Sequence, residues 1–214
     1  MAILTQDTVL RALDWAWTKA ARGLPGQESA ASLARRHMDP DQPLEDRLRA
    51  LIRRHKHQAA ATGFLTNAGG LALLPVAIPA NLAGTLFVHV RMVQAMALVC
   101  GHDLSDARVR ALCGLCLCGA KAAEVAGAAG ASLGGRLTEH LLARLGADTI
   151  ERINRLVGAR LLAQAGETGI LGASRLAPLV GGVIGAAINV TATAGIGKTA
   201  MKLLAGAEKT DAGA

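Results

Sequence analysis

Residues 59–90 read AAATGFLTNAGGLALLPVAIPANLAGTLFVHV and contain no Asp, Glu, Lys or Arg. A run of that length can cross a bilayer, which takes about 20 apolar residues, but Pro75 and Pro79 divide it. Each proline removes a backbone donor and clashes with the preceding helical turn. The stretch therefore predicts a helical hairpin over about 60–100, with arms at roughly 60–74 and 80–100 joined by PVAIP. Arg91 falls in the middle of the second arm. A guanidinium in apolar text is costly unless it is paired, solvated or able to reach an interface, so the hairpin is the first place to look for function.

Upstream, Thr5, Gln6 and Asp7 offer an N-cap for a helix running to about Arg22, with Val9, Leu13, Trp17 and Ala20 on one face. Gly23 and the following LPG end it, and Ser29 caps a short second helix that Asp39-Pro40 closes. Pro43, Glu45 and Asp46 mark the start of a third helix from Leu44 to about Thr62. Leu44, Leu48, Leu51, Ile52 and His55 share one arc of it, and Arg47, Arg49, Arg53, Arg54 and Lys56 cover the opposite one. Joined to an apolar hairpin, that basic face is a candidate membrane-surface contact. The plainer reading is a Leu face on the core and a wet Arg face.

Downstream, Ser105-Asp106 caps a helix from about Ala107 to Gly119 or Val125, and Thr138 and Asp148 open two more. The last apolar run, Leu176 to Gly197, is uncharged and rich in glycine, and Lys198 and Lys202 follow it. No segment sustains the alternation of a half-buried strand. The predicted fold is all-α: a compact helical bundle around the central hairpin, packed with a Gly-rich C-terminal apolar helix. One domain over 1–205 and a frayed tail over 206–214 are expected.

Composition narrows the partners. Hydrophobic residues make up 51% of the 214 but aromatics only 2%, and 25 glycines favour close helix contacts. The formal charge of +7 suits an anionic partner. Without Tyr, with two Phe, and with no zinc-finger or RNP-like motif, nucleic acid is not expected. Acidic Asp7 and Asp14 are unlike a signal peptide, and four cysteines in apolar helical text suit a reducing cytoplasm.

Three constellations were weighed. Cys116 and Cys118 would point about 160° apart on one helix, so Cys113, Cys116 and Cys118 are expected to be packing residues, and no metal is expected. AGIGKT at 194–199 lacks the glycine a P-loop needs at 192, where Ala192 stands, so no nucleotide or other cofactor is expected. No GxSxG elbow is present and no catalytic residue is assigned. What remains is a set of polar residues in apolar surroundings: Asn81, Thr85, His89, Arg91, Gln94 and Asn189. They are expected to satisfy one another, or Asp103 or Glu124, within the bundle, or to line a cavity for a lipid headgroup or small ligand.

The order Gly63-Phe64, Gly69-Gly70, Pro75-x-x-x-Pro79, Arg91-Met92, Gly101-x-Asp103 and Pro178-x-x-Gly181-Gly182 resembles the EcsC family over nearly the whole chain. The resemblance implies a bacterial helical protein linked with membranes and an ABC-transporter operon, and it brings no agreed reaction. The chain departs from the family pattern at His89, where Gln is expected, at Asn189, where Asp is common, and at Ala159, where an aromatic is usual. The expectation is a cytoplasmic protein, peripheral to the inner face of the membrane, that binds anionic lipid or an ABC-transporter-type membrane protein without catalysis. A soluble helical adaptor with no lipid contact is the alternative, and a lipid-directed hydrolase comes behind it.

Overall fold

Helix caps written into the sequence set most of the element boundaries. The computed structural model describes residues 4–60, 80–133, 145–172 and 178–205, with side chains described in all of these except 58–60, 80–81, 167–172 and 178–189. Thr5 accepts a bond from the Thr8 amide and starts α1 (Gln6–Arg22), and Ser29 does the same for Ser32 at the head of α2 (Ala30–Arg35). Next come α3 (Leu44–Ala60) and α4 (Ala80–Val99). Asp106 then caps α5 (Ala107–Leu117) through the Arg108 amide. A 3-10 turn, Gly119–Lys121, leads into α6 (Ala122–Ala128), and α7 (Ala147–Gly172) and α8 (Pro178–Leu204) complete the order. Among the described residues there is no strand, only one isolated bridge between Leu24 and Gln27. The fold is all-α.

The hairpin's second arm is the centre of the bundle. α4 packs against α1, α2, α3, α5 and α8, and Phe87, Met92, Val93 and Met96 on it are fully enclosed. Its apolar window Leu82–Val99 has the length and hydropathy of a membrane span, yet 83% of it is buried inside the protein. The hydrophobic character of this segment is thus spent on a protein core. The first arm, the PVAIP turn, the helix expected after Thr138 and the 206–214 tail lie outside the described residues.

One helix differs from expectation in its buried face, and one matches it. The buried face of α1 is Val9, Ala12, Ala16 and Ala20, with Leu13 and Trp17 only partly covered. Alanines one turn apart bring α1 close along α4, so small size outweighs hydrophobicity in choosing the face. α8 continues as one helix through the glycines of the last run to Leu204. Gly197 is where α3 comes closest to it: a Cβ there would lie 2.6 Å from Ile52 Cγ1.

Candidate functional site

Arg91 is 2% exposed, and its partners come from the turn between α1 and α2. Gly23 and Gly26 take φ of 85° and 74°, a region L side chains rarely adopt. A Cβ on Gly23 would also meet the Gln27 carbonyl oxygen at 2.8 Å. Leu24 and Gln27 exchange both backbone hydrogen bonds, at 3.2 and 2.7 Å. The tight turn so formed presents the Gln27 side chain to α4, where Arg91 Nη1 donates to Gln27 Oε1 at 2.8 Å and to the Glu28 carbonyl at 3.4 Å. The guanidinium carbon also stands 5.2 Å from the centre of the Phe87 ring. Burial, with Arg54 nearby, lowers the Arg91 pKa to about 10 against the pull of Glu28, so it stays charged at neutral pH.

Glu28 ties three helices together. Its carboxylate accepts from Arg36, which caps α2, at 2.6 Å and from Arg54 of α3 at 3.2 Å, while its carbonyl serves Arg91 of α4. Arg54 therefore leaves the outer basic face to which it was assigned and turns inward, half-buried.

Behind Arg91 lie two neutral histidines. His55 is 0% exposed; its Nδ1–H donates to the Leu51 carbonyl at 2.9 Å, which leaves Nε2 as the lone-pair nitrogen. Burial pushes its pKa down to about 3, against the Leu51 hydrogen bond and with help from Arg91, His89 and Arg54. His89 shares a 3.0 Å hydrogen bond with Thr193 of α8, and burial lowers its pKa to about 4. Gln94 donates to the Trp17 carbonyl at 3.1 Å and joins α4 to α1.

Arg91, His89 and Gln94 of α4 thus each turn to a different neighbour. Arg91 faces the α1–α2 turn, His89 faces α8 and Gln94 faces α1. Nor does either expected acid serve them: Asp103 accepts from Ser105 in the turn after α4, and Glu124 pairs with Lys121. Both carboxylates are held below their usual range by those local bonds. Helix geometry explains part of the dispersal, because His89 and Arg91, two positions apart, project from different sides of α4; Arg91 and Gln94 share a face and are drawn to different neighbours. Thr85 is half-buried on α4, and the side chains of Asn81 and Asn189 lie outside the described set. Cys113, Cys116 and Cys118 are buried free thiols; burial raises Cys113 and Cys118 to about 12 and Cys116 also well above the ordinary thiol value.

The outer basic residues have a different setting. Leu44, Glu45, Leu48, Arg49, Ile52, Arg53 and Lys56 of α3 face Ala194, Lys198, Met201 and Lys202 of α8, and Ala205 just beyond it, across a groove of about 710 Å³. Its floor is apolar, with Leu48 and Ile52 buried, and its rim carries Arg49, Arg53, Lys56, Lys198 and Lys202. Glu45 is the acid of the lining, and Arg49 bonds to it. Among the described residues no carboxylate pairs with Arg53, Lys56, Lys198 or Lys202. Arg47 lies outside the groove and donates to the Gln42 carbonyl at 2.7 Å. Lys198 and Lys202 were missed as site residues; their spacing of four beside Ala194 was the available signal. AGIGKT lies inside α8, not at a loop-to-helix junction, and Thr199 bonds back to the Gly195 carbonyl at 3.1 Å.

A second cleft, of about 460 Å³, opens between α1, α4, α5 and α7. Its charges are matched: Arg110 pairs with Asp14 and lies 5.3 Å from the Trp17 ring centre, and Arg11 pairs with Asp7 at 2.6 Å. Of these two clefts, the α3–α8 groove is the one whose cations lack acidic partners among the described residues.

The model of the EcsC protein family matches residues 17–205, a span that takes in every element just described except the start of α1. The chain belongs to the EcsC family. Neither a curated protein nor a solved structure matches it. In this EcsC protein Arg91 and Met92 are both buried on α4, Met92 at 0% exposure.

Proposed function

We propose that this EcsC protein is a non-catalytic, peripheral membrane protein that holds an anionic lipid surface with the face formed by α3 and α8. The supporting observation is the groove, where Arg53, Lys56, Lys198 and Lys202 stand over an apolar floor with no acidic partner among the described residues. A basic rim around the partly exposed Leu44, Met201 and Ala205 matches the two parts of a lipid interface, its phosphates and the first carbons of its chains. Arg91 takes no part in lipid contact on this reading, since it has internal partners.

Flotation with vesicles tests the proposal. The protein is expected to float with vesicles containing phosphatidylglycerol at low salt, to release them as salt rises, and to ignore phosphatidylcholine alone. No flotation with anionic vesicles at low salt contradicts it.

A second reading is favoured by one observation: α4 is so fully enclosed that its apolar run demands no bilayer. In that case the same groove docks an acidic segment of a membrane transporter, and the protein captures that segment while ignoring vesicles.

A further inference from the structure

A flat basic surface would be enough for attraction to a membrane, but the α3–α8 face is concave. Its volume of about 710 Å³ falls within the roughly 300–1,000 Å³ of single-ligand sites, and the groove is open to solvent along its length. The depth has a structural cause. Gly197 lets α8 approach α3 until its Cα side meets Ile52, so the two helices touch at the floor while longer side chains stand up on either wall. On α3, Arg49, Arg53 and Lys56 follow one another at about one helical turn, about 5.4 Å. On α8, Lys198 and Lys202 do the same, with Met201 between them turned toward the groove.

The charge sets the headgroup. A phosphomonoester carries about −1.5 to −2 at neutral pH and offers three acceptor oxygens, whereas a phosphodiester carries a single negative charge. Arg53, Lys56, Lys198 and Lys202 have no acidic partner among the described residues. Lysine serves phosphate as a point charge that needs no fixed fork, which suits a rim built from two helices. The partly exposed apolar lining of Leu44, Ala194, Met201 and Ala205 has no use for a free phosphate and suits a hydrocarbon chain.

We infer that the groove binds one molecule of a lipid phosphomonoester, its phosphate held between Arg53, Lys198 and Lys202 and its chain laid along the partly exposed Leu44, Met201 and Ala205. The inference rests on the membrane-surface reading above and narrows it from a diffuse charge to a single seated lipid.

Native mass spectrometry and calorimetric titration of the full chain test it with four soluble probes: dioctanoyl phosphatidic acid, dioctanoyl phosphatidylglycerol, glycerol 3-phosphate and dioctanoylglycerol. The expected result is one phosphatidic acid per chain, bound at least tenfold more tightly than phosphatidylglycerol. Glycerol 3-phosphate and dioctanoylglycerol are expected not to saturate the protein over the same range. Lys198→Ala with Lys202→Ala, and Arg53→Gln separately, should each weaken phosphatidic acid binding at least tenfold with helicity and melting temperature unchanged. All three side chains are exposed. Equal binding of the two phospholipids reduces the groove to general charge and overturns the inference, as does glycerol 3-phosphate binding as tightly as phosphatidic acid. No binding of any probe while vesicle flotation persists overturns the single-lipid site and leaves the membrane reading standing. Loss of flotation as well overturns both.

Discussion

Arg91, His55 and His89 place three basic side chains within one region of the core, and the protein keeps only one of them charged. The arginine is retained as a cation by Gln27, the Glu28 carbonyl and the face of Phe87. The histidines are neutral because burial lowers them to about 3 and about 4. Their ordinary value in an unfolded chain is about 6.5. The unfolded state therefore binds more protons than the folded state below that value, and stability must fall as pH drops. The stabilisation is fully present above pH about 6.5 and is lost progressively towards pH 4 and 3, amounting to several kcal/mol in order of magnitude. Urea unfolding midpoints should hold nearly level from pH 7.5 to about 6.5 and then decline down to pH 4.5. His55→Gln with His89→Gln should flatten that decline, even if the variant is less stable at pH 7.5. A midpoint independent of pH across the interval would mean that neither histidine is held neutral by the fold.

At Gly197 the contact between α3 and α8 has no room for a side chain. Gly197→Ala places a Cβ 2.6 Å from Ile52 Cγ1 and 2.8 Å from its Cδ1. Ile52 is buried and has little room to rotate away, so the helices must separate. The expected loss is about 1–3 kcal/mol, the range for overpacking a filled core, read from chemical denaturation; a neutral or stabilising effect would show that the contact is loose. Ile52→Val in the same chain should restore part of the loss by shortening the opposing side chain.

Elements of this kind were unevenly legible. Thr5, Ser29 and Asp106 announced helix starts because a cap is a local bond, three residues long or less. Leu48, Leu51, Ile52 and His55 announced the inner face of α3 because a helix repeats every turn. The partners of Arg91 were not readable, because Gln27 lies 64 residues away and reaches α4 only through the turn that Gly23 and Gly26 permit. The inward course of Arg54 was hidden for the same reason: its partner Glu28 stands in that turn. Likewise the basic stripe of α3 could be seen in the sequence, but not that Lys198 and Lys202 complete its opposite wall.

At the scale of the whole molecule, the apolar helix α4 and the basic α3–α8 groove serve separate ends. α4 is enclosed by α1, α2, α3, α5 and α8 and holds the bundle together, while the cations of α3 and α8 face outward over a small apolar floor. This arrangement lets a protein with a formal charge of +7 and a mean hydropathy of +0.34 meet a membrane at its surface, without committing α4 to the bilayer. A lysine near an anionic surface contributes about 1 kcal/mol, so the two lysines of α8 together should account for a factor of roughly 30 in partitioning. The most direct measurement is the partition coefficient of the protein onto phosphatidylglycerol-containing vesicles at low salt, compared with that of Lys198→Ala/Lys202→Ala. A fall of ten- to thirty-fold with the fold intact is the predicted result; equal partitioning of the two proteins, or no partitioning of either, would contradict a membrane role for the α3–α8 groove.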